Sequence, residues 1–308
     1  MSHTTTRPAP RTPKPSGAKP SASARFDSAL GWSPRFGANM ALRILLCVLV
    51  FCIFALPFLA ILSGAFDRNS STTDISLLPK TFTLQNFEVA GQQGLWGYLL
   101  NSLVIAGGGL LLQMTVSVFA AYSLSRKKFR GQAAVMLLVL LTMMLPEEII
   151  GVPLSVVLGN LPLLGISLRG SVLAVILPVG IWGFSIFIMS EFMKEIPGEI
   201  EEAARLDGVG EFRMLFTIIL PLCKPALGVI GIFGFMMVWD QYLLPLIAAN
   251  NPSNYTLTVA LSLLRSDTTV GPGVLLAGAL MAMIPSLLVY LFLQRSMIRG
   301  ITAGATKG

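Results

Sequence analysis

Six stretches of this chain are apolar for long enough to cross a bilayer, and no other feature limits its possible folds so strongly. A helix needs about 20 apolar residues to span the hydrocarbon core. Backbone in lipid must also satisfy its own hydrogen bonds, which a continuous helix does. The runs cover approximately Ile44 to Phe66, Leu99 to Leu124, Gly131 to Pro146, Gly170 to Ser190, Pro225 to Leu246 and Val274 to Gln294. Only 12% of the 308 residues are charged, against about a quarter in a soluble domain. The expected fold is an all-α polytopic membrane protein with six transmembrane helices. Pro57, Pro178, Pro245 and Pro285 fall within the spans; each removes a helix hydrogen bond and predicts a kink. Gly107, Gly108 and Gly109 predict close packing of span two.

Charge placement orients the spans. With the N-terminus inside, the inner segments are the tail through Arg43, 125–132, 191–224 and the C-terminus. They hold 18 of the 22 Lys and Arg residues. Arg68, Lys80, Arg169 and Arg265 fall outside. The positive-inside rule then predicts two cytoplasmic termini. Residues 1–38 are rich in Pro, Ser, Lys and Arg, as in RPAPRTPKPSGAKPSASAR. They carry too little apolar surface to offset the entropy of ordering, so a disordered basic tail is expected, followed by a membrane domain over 39–308. Outside, 67–98 reads as a long polar loop ending in interfacial Trp96 and Tyr98. Residues 147–169, apolar and rich in Gly and Pro, fit a re-entrant or interfacial segment. NNPSN, within 247–273, signals a turn. Cys47, Cys52 and Cys223 show no metal-ligand spacing and read as packing residues, and the one histidine, His3, lies in the tail.

One block interrupts the apolar pattern. Seven of the fifteen acidic residues lie between Glu191 and Glu211, with two basic ones, for a local net charge of −5. Pro197 suits a first helical turn, and Glu199, Glu201 and Glu202 favour the positive end of the helix dipole. Ile200, Ala203 and Ala204 make a small apolar face. Asp207-Gly208 is a turn signal in which Gly208 can take positive φ. A helix from Pro197 to Leu206 would be roughly 15 Å long at ~1.5 Å per residue. Phe212, Leu215, Phe216 and Ile219 then form an amphipathic stripe, bounded by Pro221 and Pro225. An anionic lipid surface would repel the acidic helix, which suits a soluble protein partner. The competing interpretation is a loop that only connects two spans.

The spacing of this block is specific. Glu202-Ala203-Ala204, Gly208 after three residues, and Ile218-x-Leu220-Pro221 after nine more reproduce EAA-x3-G-x9-I-x-LP. The pattern resembles the EAA loop of importer-class ABC-transporter permeases. TLQNF in the outer loop, Asn101-Ser102, FGFMMVWDQYLLPLI in span five and the ending FLQRSMIRGITAGATKG are similar to the maltose-type sugar permeases. The resemblance implies a coupling helix within loop 195–225, between spans four and five, that seats in a cleft of an ATP-binding subunit. On that basis Glu201, Glu202, Ala203, Ala204, Arg205, Asp207 and Gly208 are expected to couple to the ATPase. Phe212, Leu215, Phe216, Ile218, Leu220 and Pro221 are expected to pack the loop. The implied partners are a second permease, two ATP-binding subunits, an extracytoplasmic solute-binding protein and membrane lipid, in the cytoplasmic membrane of a bacterium or archaeon. The AGATKG ending is also expected to touch the ATPases, as in that family.

The chain contains no GxxxxGK[ST] phosphate loop. ATP and magnesium therefore belong to the partner ATPase, and this chain is expected to bind no cofactor, metal or nucleic acid and to have no catalytic residue. The expected mechanism is alternating access driven by ATP. An ion-coupled transporter would place an ionisable residue inside a span, whereas Glu147, Glu148 and Asp240 lie near span ends. A membrane enzyme would need a catalytic constellation that the chain lacks. The resemblance favours a sugar or sugar-related solute such as a glycerophosphate; polyamine importers share the EAA loop and remain an alternative. Aromatic and hydrogen-bonding groups make Gln113, Trp182, Trp239, Asp240, Gln241 and Tyr242 the pathway candidates.

Overall fold

The computed structural model describes residues 38–71, 76–162, 165–249, 251–267 and 269–305. The basic tail before Ala38 and the ending from Thr306 onward lie outside these residues. Two units divide inside the first helix, between Ala55 and Leu56.

The described elements are helical, apart from one isolated bridge between Asp67 and Phe82. Helices α1 (Ala38–Ala65), α2 (Gln85–Gln92) and α3 (Leu95–Arg126) come first. They are followed by α4 (Gln132–Met144), α5 (Glu147–Gly159), α6 (Leu173–Val179), α7 (Gly183–Lys194) and α8 (Gly198–Leu206). Next are α9 (Glu211–Leu222), then α10 (Lys224–Trp239), α11 (Leu243–Ala248), α12 (Leu257–Leu264) and α13 (Pro272–Ala305). Helices α1, α3 and α13 are each long and apolar enough to cross a membrane. Three bent pairs raise the number of spans to as many as six: α4 with α5 at 106°, α6 with α7 at 40°, and α9 with α10 at 76°. The chain is thus an all-α polytopic membrane protein.

One bend falls beside an expected proline: α6 ends one residue after Pro178, and α7 leaves it at 40°. α1 and α13 continue through Pro57 and Pro285 as single helices. Span five, expected to reach Leu246, ends at Trp239, and Pro245 lies in the separate short helix α11. The end is held by contacts from elsewhere in the chain. Thr258 Oγ1 donates to the Trp239 carbonyl at 3.2 Å, and the indole Nε1 of Trp239 donates to the Ala282 carbonyl at 3.2 Å. The 67–98 segment is more ordered than a polar loop, since it contains α2 and the first turn of α3. Asn86 Nδ2 donates to the carbonyls of Ala65 (3.0 Å) and Asp67 (2.9 Å), closing the end of α1.

Two apolar clusters lie along α3. One joins Ile105 and Ala106 to Val175, Val179, Phe235 and Val238. The other joins Val118, Ala121 and Tyr122 to Met189, Met193, Ala204, Leu215, Ile219 and Ala226. Of the three consecutive glycines in α3, two make close approaches. A Cβ at Gly108 would lie 2.6 Å from Ile176 Cδ1, and one at Gly109 3.0 Å from Val179 Cγ2, while Gly107 has nothing within 4 Å. Leu111, Leu137 and Leu138 face outward, as lipid-facing leucines should.

Candidate functional site

The EAA stretch forms α8, with Pro197 as its cap rather than its first turn. Gly208 follows at φ 76°, the left-handed conformation expected of it. The seven expected coupling residues divide between two faces. Glu202, Ala203, Arg205, Asp207 and Gly208 are exposed, and so is Leu206, outside the expected set, at 89%. Glu201 and Ala204 point inward, at 6% and 8% exposure. Both are held by contacts within the chain.

Glu201 Oε1 meets Arg126 Nε at 3.0 Å, with both side chains at about a tenth exposed or less. Arg126 Nη2 donates to the Ile196 carbonyl at 2.8 Å and to that of Met193, tying down the end of α7. The other oxygen of Glu201 lies 3.7 Å from Arg205, which is 3.4 Å from Glu211. Glu211 accepts from the Tyr122 hydroxyl at 2.6 Å and pairs with Lys127 at 2.6 Å. The Lys127 ammonium also stands 5.3 Å from the Tyr122 ring centroid. This junction binds α8 and α9 to the end of α3. Arg126, Lys127 and Tyr122 were absent from the sequence-based candidates.

The expected amphipathic stripe is also revised. Residues Met214–Ile219 form a π-helix, which needs more residues per turn than an α-helix. The buried set is therefore Met214, Leu215, Ile219 and Cys223. Phe212 is 75% exposed, while Phe216 meets the Phe119 ring edge-on at 5.9 Å. Ile218 and Leu220 pack partly against the cluster, and Pro221 is exposed.

The α4–α5, α6–α7 and α10–α11 breaks meet at one cavity of about 920 Å³. Leu145 to Glu148 line it from the α4–α5 break, Val179 to Gly183 from the α6–α7 break apart from Gly180, and Asp240 to Leu243 from the α10–α11 break. Trp182, Asp240, Gln241 and Tyr242 are thereby brought together. Gln241 Nε2 donates to Glu147 Oε2 at 2.6 Å, joining two of the breaks. The remaining two candidates lie elsewhere. Trp239 is buried, stacked on Phe235 at 5.3 Å and bonded to Ala282. Gln113 is fully buried behind the cavity wall, and its Nε2 donates to the Val179 carbonyl at 2.8 Å. No Lys or Arg lies among the described lining residues. Among the described residues, no group of three or more His, Cys, Asp and Glu could hold a metal ion.

Long and broken apolar helices of this kind define a multi-pass membrane protein. Residues 113–300 match the family of binding-protein-dependent transport system inner membrane components, and the chain belongs to it. The chain is 31% identical over 256 residues to a putative ABC transporter permease protein of a Caldicellulosiruptor species, covering 82% of this chain and 91% of that protein. It is 28% identical to the arabinooligosaccharides transport system permease protein of Bacillus subtilis, covering 90% of this chain and 99% of that protein. Its fold matches a chain of a bacterial ABC transporter involved in import of the acidic polysaccharide alginate. That match has a TM-score of 0.71 at 22% identity and covers 90% of this chain and 99% of the other. The protein is thus a permease subunit of an ABC importer and not an enzyme.

Proposed function

We propose that this chain forms half of a carbohydrate pathway and takes its motion from a separate ATPase through α8. Six spans cross the cytoplasmic membrane, each bent pair counting once, with both termini inside. A second permease completes the pathway, two ATP-binding subunits supply the work, and an extracytoplasmic binding protein delivers the solute. Residues 39–308 make up the permease domain. The observation that carries the coupling assignment is the outer face of α8, where Leu206 stands 89% exposed beside Glu202, Ala203 and Asp207. A leucine so exposed on a short acidic helix fits a protein cleft better than water or anionic lipid. Closure of the ATPases would then move α8 as a rigid body and turn the pathway from one side of the membrane to the other.

Carbohydrate is favoured by the arabinooligosaccharide relative and by the cavity, which offers Trp182 and Tyr242 for stacking and Gln241, Glu147 and Asp240 for hydroxyl groups. The ATPase assignment is tested by Leu206→Asp and Ala203→Asp in the assembled transporter. Both should reduce co-purified ATPase at least tenfold while membrane insertion stays intact; full retention of ATPase and uptake would reject the assignment. For the solute class, a thermal-shift screen of the cognate binding protein should select oligosaccharides, and selection of a polyamine instead would overturn it.

A further inference from the structure

We propose that α3 carries the movement of α8 to the cavity through two polar cross-links, Arg126 at its end and Gln113 near its middle. The inference rests on α8 being the ATPase-coupling helix. α3 is unbroken from Leu95 to Arg126, so the 13 residue steps from Gln113 to Arg126 form a rod of about 20 Å. At one end, Arg126 holds Glu201 of α8 and the terminal carbonyls of α7 together. Further along, Gln113 holds the carbonyl of Val179, the last residue of α6 before its break and part of the cavity wall. Apolar side chains can slide past one another, whereas charge-assisted pairs and directional hydrogen bonds fix a geometry. A displacement of α8 therefore reaches the α6–α7 break without depending on the packing between.

Gln113 has a property that packing alone does not explain. Its Oε1 is buried without a hydrogen-bond partner, although an apolar residue of similar volume would avoid that cost. Retaining the amide makes sense if its N–H group is needed at Val179. Arg126 and Gln113 are accordingly positioning residues, which act through α8 and the break rather than on the solute.

The test uses the complete transporter in vesicles, with Cys47, Cys52 and Cys223 replaced by Ser and Ile181→Cys introduced as a reporter on the cavity wall. Labelling by a membrane-impermeant maleimide is compared without nucleotide and after trapping with ATP and vanadate. The parent should show at least a fivefold change in labelling rate. Arg126→Gln and Gln113→Leu should each cut that change below twofold, whereas Arg126→Lys, which keeps a cationic donor at that end, should retain more of it than Arg126→Gln. Gln113→Leu should also melt at the same or a higher temperature, which a purely structural role would not combine with lost coupling. A full ATP-dependent change in either single variant overturns the proposal. If the arginine variants do not assemble, Gln113→Leu alone decides. Should the parent fail to respond to ATP, or Leu206→Asp leave its response intact, the assignment of α8 fails instead.

Discussion

The junction beneath α8 and the cavity at the helix breaks are both built from carboxylates and aromatic rings, but they are held in opposite ways. In the junction each carboxylate meets cations: Glu201 faces Arg126 and Arg205, and Glu211 faces Lys127 and Arg205. Around the cavity, Glu147, Glu148 and Asp240 share a lining without Lys or Arg, and Glu147 takes a neutral amide from Gln241. The junction rests on buried Met193, Leu215 and Ile219 and keeps Lys127, Arg205 and Glu211 part-exposed at its edge, whereas the cavity rim exposes Ile181 and Tyr242. A region cross-linked on every side moves as a unit. A region with uncommitted polar groups can change shape around a solute. The same chain supplies a stiff end and an adaptable middle, and the contrast can be measured.

The sharpest way to break it is truncation on each side. Ile219→Ala removes a side chain with no exposed surface and should cost about 2–5 kcal/mol, as large-to-small changes in cores do. Tyr242→Ala, at 39% exposure, should cost about 1 kcal/mol or less while lowering solute uptake. Thermal unfolding of the purified chain in detergent gives both values. Similar costs at the two sites would remove the distinction between a stiff end and an adaptable middle.

How much of this contrast could be read beforehand depended on the kind of signal. The helix at 198–206 and its glycine stop were legible because they rest on local chemistry, namely clustered Glu, small residues and a Gly able to take φ 76°. Membership in a permease family was legible because the EAA spacing is itself local. Arg126 was not, since its partners Glu201 and Ile196 lie far along the chain. A hint existed: Glu201 and Ala204 are three apart and share one helix face, so a carboxylate sat on the side meant for packing and needed a buried cation. The π-turn at Met214–Ile219 escaped because a 3.6-residue period was assumed, and it moved burial from Phe212 to Met214. The end of α10 was misjudged for the same reason as Arg126: Thr258 and Ala282, which bond Trp239, lie far along the chain.

A second test of the stiff end concerns backbone rather than side chains. Nothing lies within 4 Å of a Cβ added at Gly208 or at Gly198, but only Gly208 has positive φ. Gly208→Ala should therefore cost about 1–2 kcal/mol from conformation alone. Gly198→Ala, inside α8, should be neutral or stabilising by up to about 1 kcal/mol. Paired melting curves would show the opposite signs. If Gly208→Ala proved neutral, the turn after α8 would be adaptable and the junction less rigid than its ion pairs imply.

The smallest effect asks whether partners, rather than charge itself, make a carboxylate structural. Asp67 is 4% exposed and accepts the backbone N–H groups of Lys80 at 2.8 Å, Asn69 at 3.0 Å and Thr81 at 3.3 Å. The N–H of Lys80 first, and then that of Asn69, hold its carboxyl below the usual carboxylate range against the opposing effect of burial. A depressed folded value means that the stabilisation is fully present above the ordinary carboxylate pKa of about 3.9 and is lost as pH falls through the lowered value. Asp67→Asn places an NH2 group among these donors. It should lower the melting temperature modestly at pH 7 and flatten its decline between roughly pH 4 and the lowered value. An unchanged acid limb would mean that the loop after α1 holds Asp67 as loosely as the cavity holds its own carboxylates. The contrast between the two regions would then owe more to the Arg and Lys at the junction than to burial.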